Sequence, residues 1–66
     1  MAEPFSIDDV RCLRETEKAL LCEIEGEEVW LPKSQVHEDS EVFDAEEHSE
    51  GTLVVTAWLA EKQGWL

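Results

Sequence analysis

His37 and His48 bracket the stretch HEDSEVFDAEEH, and with Glu38, Asp39, Asp44, Glu46 and Glu47 they are the side chains best placed to hold a divalent cation. Their spacing matches no HExxH helix, no Cys/His zinc pattern and no D-x-D-x-D-G calcium loop. They read instead as an acidic surface segment containing two histidines, and no metal or other cofactor is expected. Carboxylate pairs for acid–base catalysis can be drawn almost anywhere in a chain with 17 Asp and Glu, so their presence distinguishes nothing. A working pair needs a pocket that drives two pKa values apart, and a core built from 66 residues offers little concave volume. Gly26, Gly51 and Gly64 have turn or cap readings rather than that of a phosphate loop, and no nucleophile elbow is legible. No enzymatic activity is expected. Cys12 and Cys22 form no CxxC pair; they are buried free thiols or, if their strands pair in register, a cross-strand disulfide.

What remains is charge. Seventeen acids against five Lys and Arg leave a net charge of -12, which argues against direct binding to nucleic acid or to an anionic membrane face. Disorder is the other meaning of such a charge, but Leu, Ile, Val and Phe make up 17 of the 66 residues, and three tryptophans add apolar area. A single folded domain over 1–66 with an acidic skin is expected. No signal peptide or membrane span is expected, and the expected location is cytoplasmic.

The acidity is regional. Residues 1–22 hold five acids against three bases, whereas residues 23–61 hold twelve against Lys33 alone. Solubility needs a net charge of only about 2 to 8 in a small domain. In a strand Glu23 and Glu25 would stand about 6.6 to 6.8 Å apart, close to twice the 3.4 Å charge spacing of a DNA strand. Glu27 and Glu28 would continue that row around a turn, and Glu38, Asp39, Glu41, Asp44, Glu46 and Glu47 would extend the field through a loop.

These residues need a scaffold. Residues 1–9 read as a lead-in anchored by Phe5 and Ile7, and VRCLR (10–14) as a first strand. ALLCEIE (19–25) alternates, with Leu20, Cys22 and Ile24 on one face and Leu21, Glu23 and Glu25 on the other. Gly26 with Glu27 marks a reversal into EVWLP (28–32), which makes 19–32 a hairpin with Trp30 on the face opposite Val29 and Leu31. An acidic loop follows over 37–50, with Val42 and Phe43 as a short strand inside it. TLVV (52–55) is a further strand, and Thr56 caps a short helix through AWLAEKQ that ends at Gly64. The fold class expected is α+β: a small, strongly bent antiparallel sheet or partly closed barrel of four to five strands with one short C-terminal helix. Trp30 or Trp65 is the residue expected to stay exposed as an interface anchor.

The stretches KALLCEIEGEEVWLPKSQV (18–36) and GTLVVTAWLAEKQGWL (51–66) resemble a small acidic domain of phage and mobile-element genomes. The likeness covers about half the chain and is carried by WLPKSQ and WLAEKQG. In size and charge the chain is also similar to anti-CRISPR proteins that inhibit type I surveillance complexes, several of which imitate duplex DNA. That similarity has no motif, so no residue role carries over from it. It implies a monomeric, non-enzymatic inhibitor whose acidic face docks on the basic DNA-binding surface of a host protein, such as a Cas subunit of a type I complex. The expected contacts are Glu23, Glu25, Glu27, Glu28, Trp30, Glu38, Asp39, Glu41, Asp44, Glu46 and Glu47. The alternative is a phage or plasmid accessory adaptor that binds its partner through an apolar sheet edge.

Overall fold

The apolar residues of FSIDDVRC alternate up to Ile7, lose the beat at Asp8 and Asp9, and regain it at Val10 and Cys12. In the computed structural model, which describes residues 3–66, the whole stretch is one strand, β1 (Phe5–Glu15). The lost beat is a bulge: Ile7 pairs with Leu53 and Val10 with Gly51, so β1 spends one extra residue there, and Asp9 takes a φ of 58°. A second irregularity lies between Cys12 and Arg14. Each bulge bends the strand, and the one at Asp9 restores the phase that keeps Val10 and Cys12 on the buried face with Phe5 and Ile7. Residues 5–9 therefore belong to the sheet rather than to a lead-in.

β2 (Ala19–Ile24) and β3 (Glu27–Pro32) form the hairpin, closing on the pair Ile24 and Glu27. The connection is thus Glu25–Gly26, one residue earlier than the sequence reading placed it. Both residues have positive φ, 52° and 84°, the primed geometry that suits the twist of a two-residue hairpin. After a 3-10 turn (Lys33–Gln35) and the acidic segment come β4 (Glu50–Val55) and helix α1 (Ala57–Lys62). The sheet is antiparallel with strand order β3-β2-β1-β4.

One sheet face carries the core. Val10, Cys22, Leu20, Leu31, Leu53 and Val55 are fully buried there, closed over by Leu59 and Ala60 of α1 and by Val42. The helix starts where Thr56 accepts the Leu59 N–H at its Oγ1, 3.2 Å away. Cys12 and Cys22 are directly opposed, buried and free. Burial removes the thiolate from water, which pushes the Cys22 thiol up to about 12 and raises Cys12 as well.

The segment after the 3-10 turn is fastened along the outer edge of β4. Val36 bridges Val55, His37 N–H donates to Val54 O, and Glu41 N–H donates to Thr52 O. Ser40 is the one buried polar residue among the described residues. Its hydroxyl accepts the Val42 and Val54 N–H groups and donates to Val42 O, so its polar atoms are satisfied. Val42 and Phe43 form no strand: Val42 drops into the core, while Phe43 stays exposed and stacks on His48.

Candidate functional site

Lys33 N–H donates to Lys18 O and continues the β2–β3 ladder past its last strand pair. Counting back from that bond, Leu20–Leu31, Cys22–Val29 and Ile24–Glu27 are the hydrogen-bonded pairs. Glu23–Glu28 and Leu21–Trp30 are therefore the non-hydrogen-bonded ones. Two conclusions follow. The backbone groups of Glu28 and Trp30 point off the open edge of β3, which has no neighbour in the sheet. Glu23 and Glu28, moreover, meet in the pair type whose side chains approach most closely, with Cα atoms about 4.5 Å apart.

Both glutamates are exposed on the face away from the core. Like charges set directly opposite each other destabilise a sheet. The nearest candidate for neutralising them is Arg11, paired with Glu23 across β1 and β2. Its guanidinium instead meets Glu50 on the other side, Nε to Oε1 at 3.1 Å. Lys33 is engaged with Glu15. Among the described residues no cation pairs with Glu23 or Glu28. Beside the two carboxylates, Trp30 is half exposed and lies opposite Leu21, which is buried although it is outside the main core.

The structure divides the remaining expected contact residues. Glu25 sits in the turn, not in a strand, so no 6.6 Å strand row links it to Glu23. Glu27 pairs with Ile24 and takes the opposite face from Glu23 and Glu28. The row expected to run around the turn is therefore a pair, Glu23 with Glu28, flanked by Trp30. The loop acids lie beyond β4, at the other end of the strand order. Two of them serve the loop itself. Glu41 Oε1 accepts Thr52 N–H at 2.9 Å. Asp44 Oδ1 accepts the N–H groups of Glu46 at 3.0 Å and His48 at 2.8 Å, and these bonds lower its pKa. Asp39 stands beside His37, Nδ1 to Oδ2 at 3.5 Å, while Glu38, Glu46 and Glu47 are exposed.

Of the tryptophans, Trp65 is half-buried against Phe5 and Trp58 is exposed, with the Lys62 ammonium 5.4 Å from its ring centroid. The sequence pattern places Trp58 with Leu59 as the packing contribution of the helix, but only Leu59 is buried and Trp58 faces outward beside Lys62, four residues on; the capture of Arg11 by Glu50 depends on strand register, which no local pattern reports. Among the described residues no group of three or more His, Cys, Asp or Glu could hold a metal ion, and no helix is long and apolar enough to cross a membrane. Compared with family models, curated proteins and solved structures, the chain matches none of them.

Proposed function

We propose that the protein is a non-enzymatic inhibitor, acting as a monomer in the cytoplasm of a host cell. In this reading its acidic face mimics DNA and occupies the basic DNA-binding surface of a host protein, in the manner of an anti-CRISPR protein that blocks target-DNA binding by a type I CRISPR-Cas complex. The observation that carries this reading is the directly opposed Glu23–Glu28 pair on the open side of the sheet, with its nearest arginine held by Glu50. Such a pair costs stability in the free protein, and a Lys/Arg-rich partner would turn that cost into attraction. Trp30 beside it supplies an apolar anchor. Glu25, Glu27 and the exposed loop acids Glu38, Asp39, Glu46 and Glu47 widen the field that steers the encounter. We read the scaffold as a strongly bent, partly closed barrel; the two bulges of β1 and the Val36–Val55 bridge support this.

The runner-up is an accessory adaptor that binds through an apolar edge, and the open β3 edge with Trp30 favours it. Salt separates the two readings. A mimicry complex weakens sharply as ionic strength rises, and an apolar one does not. The direct test is displacement of target DNA from a type I surveillance complex, compared between the parent and a variant with Glu23→Lys and Glu28→Lys.

A further inference from the structure

Beside the hairpin turn, the start of β1, the end of β2 and Trp65 border an open cleft of about 580 Å³. Its floor is apolar: Phe5, Ile7, Ile24 and the Trp65 indole, which stacks on Phe5 with ring centroids 6.4 Å apart. Its rim is acidic, formed by Asp8, Asp9 and Glu25, and none of its lining residues is basic. Asp8 accepts the Thr52 hydroxyl at 3.0 Å, and neither Asp9 nor Glu25 joins an ion pair among the described residues.

We propose that this cleft receives an arginine side chain of the partner. The inference rests on the reading that the partner presents a Lys/Arg-rich surface, and it names the group that enters. An arginine matches both halves of the cleft. Its methylene stem covers the apolar floor at Ile7 and Ile24. Its planar, weakly hydrated guanidinium stacks on Trp65 while donating to the rim carboxylates. A phosphate or other anion is repelled by the rim, and an uncharged side chain leaves the three carboxylates uncompensated. Glu25 joins this cleft to the hairpin that carries Glu23 and Glu28.

The test is titration of the full chain with acetyl-Gly-Arg-Gly-amide, followed by amide and indole NMR shifts, against the same peptide with citrulline in place of arginine. The arginine peptide should produce saturable shifts at Ile7, Asp9, Glu25 and the Trp65 indole, and the citrulline peptide none. A variant with Asp9→Asn and Glu25→Gln should bind roughly fivefold more weakly. Asn accepts the left-handed conformation at position 9, so the bulge is kept. Equal binding of citrulline, unchanged binding by the variant, or shifts spread evenly over all acidic segments would overturn the proposal. Glu23 and Glu28 do not line the cleft. If arginine does not bind here while their reversal still frees target DNA, this inference alone fails. If arginine binds here while their reversal changes nothing, the mimicry reading fails and the site stands.

Discussion

Glu23 and Glu28 face each other across β2 and β3 in a non-hydrogen-bonded pair, while Arg11, the cation next in line on β1, bonds to Glu50 instead. The arrangement concentrates negative charge toward the β3 edge of the sheet, whereas the 36–42 segment is fastened along the other edge, β4. Folding brings these two carboxylates together, so folding bears the cost of their repulsion.

That cost is measurable. Glu28→Gln keeps the size and shape of the side chain and removes one charge of the pair. It should raise stability by about 0.2 to 1 kcal/mol, read as a higher urea midpoint. Raising NaCl from 0.01 to 0.15 M shortens the screening length from about 30 to about 8 Å and should stabilise the parent more than the variant. An unchanged or lower midpoint for Glu28→Gln would show that the two carboxylates do not repel in the folded chain. The same substitution should weaken partner binding, because the charge that burdens the fold is the charge proposed to bind.

The Cys22 thiol predicts an alkaline limit. Burial raises its pKa from the ordinary 9.0 to about 12, so the folded chain holds this proton more tightly than the unfolded chain. Below about pH 9 both states are protonated and the contribution is fully present; between pH 9 and 12 the unfolded chain ionises first and stability drains away. Urea midpoints from pH 7 to 11 should fall more steeply for the parent than for Cys22→Val. The chain has no tyrosine, so the thiolate absorbance that the parent shows in excess of Cys22→Val should appear on unfolding, unobscured by tyrosinate. Identical pH slopes for the two proteins would refute the assignment.

Gly51 predicts a fragile point on the opposite edge of the sheet. Its φ is 133°, and a Cβ there would lie 2.7 Å from Glu41 Oε1, the oxygen that accepts Thr52 N–H. Gly51→Ala must strain the backbone and displace the carboxylate that fastens the loop, costing about 1 to 3 kcal/mol. Chemical denaturation checks this. A loss of less than a few tenths of a kcal/mol would mean that Glu41 does not hold the loop.

The sequence showed the hairpin, the final strand and the helix because each has a local signature: alternation in LLCEI, Gly26 beside the reversal, and Thr56 before an apolar run. The first half of β1 was hidden because the bulge at Asp9 breaks the period that identifies a strand. Placing the turn one residue late made Glu25 a strand residue and produced a charge row that does not exist. A two-residue primed turn ordinarily asks for Asn or Gly at the position Glu25 holds, so composition pointed elsewhere. Loop pinning by Ser40 and Glu41 depends on contacts 11 to 14 residues away in the chain, which no local pattern reports. Of the candidate site, the region of charge was legible. The choice of Glu23 with Glu28 as the central pair required the register.

The most direct test of the central claim is fluorescence anisotropy of labelled target duplex held by a type I surveillance complex while this protein is titrated in. The account predicts that the parent protein releases the DNA, less effectively at higher salt. It also predicts that the variant with Glu23→Lys and Glu28→Lys, folded by circular dichroism, releases little or none. Failure of the parent to displace DNA, or equal displacement by the charge-reversed variant, would contradict it.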